Sequence, residues 1–238
     1  MANKKHRIYF HVFPWAKTRW VIEEQLTTIR NSGILEVADL VVCVVSTRFS
    51  GHVELPDWVE NRCEVEHNGT EWPTLLLAQQ WAKNNPLPDM YTLYIHTKGA
   101  IKSRMHGCNH TWRQFMMYFL VEKFMEAFAV LDENPEIDAL GCNLKNKQPR
   151  GKYKRSGQGP FDLWHFSGNF WWARNSGLID LPIAGSDEAR NIDTWQGHKP
   201  RLAAERWIGE LGSDRLHQIH RAKVNINNVP YTREMYAD

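Results

Sequence analysis

The sequence has almost no charge of one sign to spare: 29 Lys and Arg stand against 27 Asp and Glu, a formal net charge of +2. A chain built mainly to coat nucleic acid needs a basic surplus, so that class is disfavoured, with a local basic patch left open. Long hydrophobic runs are missing too, and none approaches the roughly 20 residues that cross a bilayer. The basic start, Met1-Ala2-Asn3-Lys4-Lys5-His6-Arg7, leads into a strand and not a signal-peptide core, which reads as cytoplasmic. Cysteine is sparse: Cys43, Cys63, Cys108 and Cys142 form no C-x-x-C pair. Reduced thiols fit that spacing better than disulfides or a structural zinc site. Internal repeats and linker-like composition shifts are absent. With 238 residues, this implies one domain with an ample core.

What is plentiful is tryptophan, with 11 residues. Trp112, Trp164, Trp171, Trp172, Trp195 and Trp207 sit in polar surroundings, where packing alone explains a bulky indole less well. Periodicity supplies the frame. Ile8–Phe13 reads as a strand closed by Pro14, and Trp20–Asn31 has helical spacing with a stop at Ser32-Gly33. Leu40–Val45 reads as a strand buried on both faces, Arg62–Glu66 as a short strand, and Pro73–Lys83 as a helix. Thr111–Asn134 is the longest helical pattern. Ile137–Leu144 and Leu163–Ala173 look strand-like, 146–159 a basic glycine-rich loop, and Lys199–Leu211 a helix. A weak helix is expected around Asp214–Ala222 and a last strand at Lys223–Val229. Strand and helix alternate through the first half, which implies an α/β fold: a mostly parallel, Rossmann-like twisted sheet flanked by helices.

Tyr91–Gly99 carries the strongest local signal. A short aromatic and β-branched strand stops at His96-Thr97-Lys98-Gly99, and ligands of open α/β sheets sit outside the carboxyl ends of strands. The plain alternative is a strand followed by a polar turn. Lys102 and Arg104 extend the cationic stretch, and a solvated basic loop explains them equally well. His165-Phe166-Ser167-Gly168-Asn169-Phe170-Trp171-Trp172 mixes hydroxyl, amide and indole groups suited to a sugar. Period-two alternation sends Trp171 and Trp172 to opposite faces, so one is expected in the core and the other against a ligand.

The strand I-Y-F-H-V-F, the Y-I-H-T-K-G strand end, the F-S-G-N-F-W-W-A segment and the A-A-E-R-W-I helix occur in that order. Together they resemble GT-A-fold glycosyltransferase-like proteins of bacteria, viruses and phages, over roughly residues 8–208. A large algal-virus glycosyltransferase is similar, more distantly, through its amino-terminal domain. The resemblance implies a nucleotide-sugar donor, UDP-type first, bound by about residues 1–144, with acceptor and catalytic groups in about 145–238. Donor contacts would fall on His11, Phe13, Thr47, His96, Thr97, Lys98, Gly99, Lys102 and Arg104. Sugar or acceptor contacts would fall on His165, Ser167, Gly168, Asn169, Trp171 and Trp172.

Such enzymes usually hold Mn²⁺ or Mg²⁺ with an Asp-x-Asp at the end of the fourth strand. His96-Thr97-Lys98 stands there instead. Lys98 would offset diphosphate charge without metal, or His96 would be a metal ligand, so metal dependence stays open. For an inverting transfer the base is expected at Glu205, with Asp187 and Glu188 as alternatives; a surface glutamate paired to Arg201 is the plain reading. Arg150, Lys152, Lys154 and Arg155 are candidates to meet the diphosphate, Trp112 and Arg113 to border the cleft, and His217 or His220 to supply a metal ligand. The acceptor would be a glycan or other hydroxyl, with a modified nucleobase in DNA as a phage-type alternative. The rival class is a non-catalytic nucleotide- or carbohydrate-binding module with a degenerate site.

Overall fold

The computed structural model describes residues 4–14, 18–47, 52–67, 70–97, 106–146, 164–190, 200–226 and 229–237. Strand β1 (His6–Val12), helix α1 (Arg19–Asn31), strands β2 (Ala38–Ser46) and β3 (Asn61–Glu66), helix α2 (Trp72–Asn84) and strand β4 (Tyr91–His96) follow in order. Each lies close to where its hydrophobic pattern puts it. Val21, Ile22, Leu26 and Ile29 of α1 are buried at helical spacing, and the helix stops before Gly33, whose φ of 78° suits glycine. Pro73 occupies the first turn of α2, where its missing N–H costs nothing.

The second half departs from its local pattern. The expected single helix over 111–134 is α3 (His106–Met117), a π-helical turn at Tyr118–Glu122 and α4 (Phe124–Glu133). A π-turn loosens the regular backbone ladder. Leu120 O within it accepts the indole N–H of Trp172 at 2.8 Å. Strand β5 (Ala139–Cys142) ends at Asn143, with φ of 52°, and β6 (Leu144–Asn146) pairs with β7 (Trp164–Phe166) in a separate ribbon. The aromatic stretch is therefore two strands, β7 and β8 (Trp171–Arg174), joined by a tight turn. Helices α5 (Asn175–Asp180), α6 (Asp187–Arg190) and α7 (Pro200–Arg206) follow, and a 3₁₀ turn continues α7 through Trp207–Leu211.

Two expectations fail here. The segment read as a weak helix over 214–222 is a 3₁₀ turn at Ser213–Arg215 and then strand β9 (Leu216–His220), which pairs with β5. Its partner lies some 77 residues earlier, as the Arg215–Asp138 contact records, and no local window contains that information. The last strand expected at Lys223–Val229 is not formed among its described residues, which are bends and turns.

The main sheet has seven strands in the order β3-β2-β1-β4-β8-β5-β9, all parallel except β8. Helices cover both faces. Ile8, Phe10, Leu93, Ile95 and Trp172 pack with α1, α3 and α4 on one side. Tyr9, Tyr94, Ala173 and Trp171 pack with α2, α5 and α7 on the other. At the open edge, β3 exposes Arg62, Glu64 and Glu66, charges that discourage strand addition. No helix among the described residues is long and apolar enough to cross a membrane.

Candidate functional site

The chain winds outward from β1 to β2 and β3, then crosses back to place β4 on the other side of β1. Strand order reverses there, and open α/β sheets take ligands in the crevice outside the strand ends at such a point. β1 and β4 arrive in register as His11 and His96. Thr97 joins them: its N–H donates to His11 O at 3.1 Å, and its Oγ1 accepts the N–H of Phe13 at 3.2 Å. Gln25 of α1, fully buried, donates its amide to His96 O at 3.2 Å. Both strand ends are thus pinned to each other and to α1.

Beneath this crevice lies a buried polar cluster. Glu71, 4% exposed at the N-cap of α2, accepts the Tyr94 hydroxyl at 2.9 Å and the Asn169 side-chain N–H. Its second oxygen stands 3.9 Å from His96 Nδ1. His96 Nε2 lies 2.8 Å from Gly168 O; a carbonyl only accepts, so Nε2 carries the hydrogen. Asn169 Oδ1 accepts the Trp171 indole N–H at 3.0 Å. On β1, His11 Nδ1 sits 2.8 Å from Thr74 Oγ1, and burial pushes the imidazole down to about 4, so it is neutral at pH 7. Burial holds the Tyr94 phenol well above its ordinary range, and the negative charges of Glu71 and Glu205 add to the effect.

The turn between β7 and β8 is built for this fit. Asn169 N–H returns to Phe166 O at 2.9 Å, with Gly168 at φ of 106° in the position that a type II turn reserves for glycine. A Cβ on Gly168 would meet Met116 Sδ at 2.4 Å, so α3 presses on the turn from outside. Asn169 itself has φ of 56°, a left-handed conformation that asparagine tolerates better than most residues.

The structure brings His11, Phe13, His96, Thr97, Gly168 and Asn169 together, and Glu205 is half-buried on α7. Ser167 is buried, its N–H on Asn143 O at 3.1 Å. Thr47 ends half-buried just beyond β2, and His165 is half-buried on β7. Asp187 and Glu188 are exposed on the first turn of α6, Glu188 within charge reach of Glu210. Lys98, Gly99, Lys102, Arg104 and the 150–155 basic group lie outside the described residues.

Trp171 and Trp172 require a correction. Alternation does send them to opposite faces, but both are 0% exposed because helices cover both faces of β8. Neither offers an indole face to a sugar. His96 has Nε2 on Gly168 O at 2.8 Å and Nδ1 3.9 Å from a Glu71 oxygen, so both ring nitrogens face protein groups. No cluster of three or more His, Cys, Asp or Glu among the described residues could hold a metal ion, His217 and His220 on β9 included. Burial lowers the His220 pKa, and its ring stacks on Phe119 at 4.2 Å.

Glu71 is the residue that sequence reasoning missed. The available signal was Pro73, which marks the first helical turn and so puts position 71 at the cap. Beside the end of β1 lies a cavity of about 620 Å³, lined in part by Pro14, Thr18, Ile22, Leu26, Val53 and Leu55.

No protein-family model matches the sequence, and no curated protein matches it. Among solved structures, a protein of Desulfovibrio desulfuricans G20, provisionally described as a nucleotide-diphospho-sugar transferase, superposes with a TM-score of 0.44. The match covers 92% of this chain and 81% of that one at 11% sequence identity. The likeness is a distant one.

Proposed function

We propose that this chain is a glycosyltransferase that moves a sugar from a nucleotide-diphosphate donor, UDP-type first, to an acceptor hydroxyl with inversion. The ordered motifs of the sequence support the reading. The observation that carries it is the buried polar cluster of Glu71, Tyr94, His96 and Asn169 under the β1–β4 switch point, where His11 and His96 end in register. A donor there would lay its nucleotide along the ends of β1 and β2, near Phe13 and Thr47. Its diphosphate would meet the polar strand end of β4 and the Lys98 that follows Thr97 in sequence.

The chemistry then needs two services. The acceptor oxygen attacks the anomeric carbon, the bond from that carbon to the diphosphate oxygen breaks, and Glu205 takes the hydroxyl proton. A cation offsets the charge left on the diphosphate. Lys98, which follows Thr97 at the end of β4 in sequence, is assigned that task as a fixed point charge. The acceptor class is a glycan or another hydroxyl compound.

Nucleotide sugars should raise the melting temperature of the purified protein, since a ligand of the native state adds apparent stability. Glu205→Gln should lower transfer by about 100-fold or more while donor binding and melting temperature stay put. A protein that turns over no nucleotide sugar, with or without Mn²⁺, would sink the reading. Lys98→Ala separates the two charge schemes, weakening donor binding strongly only if the ammonium does the neutralising.

A further inference from the structure

We propose that Glu71 is a positioning residue of the transfer site, holding the Ser167–Asn169 turn of the second half against the strand ends of the first. The proposal rests on the glycosyltransferase reading and adds a residue to it. Glu71 caps α2, before β4 in the chain, while Asn169 follows β7, 98 residues later. One buried carboxylate therefore joins the two parts of the crevice: Tyr94 from β4 on one side, Asn169 from the turn on the other.

Three further features make this more than a stray buried acid. Asn169 keeps a side chain at a φ of 56°, where glycine is the easier choice, and both ends of its amide are engaged, Nδ2 by Glu71 and Oδ1 by Trp171. The same turn is clamped a second time, by His96 Nε2 on Gly168 O at 2.8 Å. Gly168 within the turn has no room for a side chain against Met116 of α3, so the turn is held on that side too. Loosening Glu71 therefore shifts the turn, while leaving the pinned ends of β1 and β4 intact through Thr97 and Gln25. An error near an ångström at a reacting centre is enough to slow chemistry severely.

The test uses the full chain with Glu71→Gln and Asn169→Gly, the second preserving the left-handed backbone. Both variants should lower kcat about 100-fold with the donor-nucleotide Kd within about threefold of the parent. The double variant should lose no more than the worse single, as expected of residues acting through one contact. A purely structural role would instead lower melting temperature and leave kcat per folded molecule unchanged; that result, in either variant, overturns the proposal. If Glu71→Gln does not fold, Asn169→Gly decides alone. A parent protein without any nucleotide-sugar turnover removes the reading and the proposal with it. Turnover by the parent matched by both variants removes the proposal only.

Discussion

The two ends of β4 both carry buried polar groups, and they use them differently. At the amino end, Arg174 is 6% exposed and donates to backbone carbonyls: Ile137 O at 2.8 Å, Pro88 O at 2.8 Å, Asn134 O at 3.3 Å, and Leu131 O. Asn175 beside it takes the Thr92 hydroxyl at 2.9 Å and donates to Asn85 O at 2.7 Å. At the carboxyl end, Glu71, Tyr94, His96 and Asn169 bond mainly side chain to side chain. Carbonyls are fixed acceptors that no proton can alter, so the amino end is a clamp on loops. The carboxyl end ties side chains of β4, of the α2 cap and of the β7–β8 turn to one another, so each bond depends on a partner that one substitution can remove.

Breaking the clamp should have the largest effect on stability. Arg174→Met strands several carbonyls that have no water to turn to, and the loss should be about 3–5 kcal/mol in urea unfolding. Ligand binding per folded molecule should hold. A variant that loses binding while folded would show that the two ends are not separable.

Acid should sharpen the contrast next. Buried His11 is held down to about 4, below its unfolded value near 6.5, so the unfolded chain binds the extra proton first as pH falls. Stability contributed by the neutral ring is complete above about pH 6.5 and drains away toward pH 4. Between pH 7 and pH 5 the His11 share is roughly 2 kcal/mol. His6, at the opposite end of β1, is also pushed down to about 4 by burial and loses stability over the same window. His11→Asn should therefore remove only its own part of the acid loss, read as the change in urea midpoint between the two pH values. An unchanged difference would contradict the neutral assignment.

The smallest effect belongs to a pair away from both ends. Arg233 grips Glu122 with two bonds, at 2.8 and 2.6 Å, but its side chain is half-exposed. Arg233→Ala should cost under about 1 kcal/mol, and less in high salt. A larger loss would mean that the segment around Tyr231 and Tyr236 depends on that ion pair more than on its buried rings.

The first half was legible in sequence because its signals are local. Continuous apolar strands, one amphipathic helix and a proline at a helix start mark β1 through β4 with little help from distant contacts. The second half hides its information in pairing. Leu216–His220 has no clear period and becomes a strand only because β5 lies beside it. Trp171 and Trp172 were readable as alternating, yet what covers each face depends on helices elsewhere in the chain. His11 and His96 stood out as polar groups at strand ends, whereas Glu71 precedes a helix like many surface glutamates. Its partners Tyr94, His96 and Asn169 come from distant segments, which no window around position 71 contains.

The reversed strand β8 also has a consequence during synthesis. Until β8 is made, β4 stands at the edge of a parallel sheet with one row of backbone groups unpaired and with side chains that the finished fold buries throughout. Its eventual neighbour arrives late: Thr92 bonds to Asn175, 83 residues on. β5 is made in between and must wait for β8 to fill the gap between it and β4. The nascent chain therefore passes through a stage with an adhesive sheet edge, at which slow elongation or truncation favours aggregation over folding.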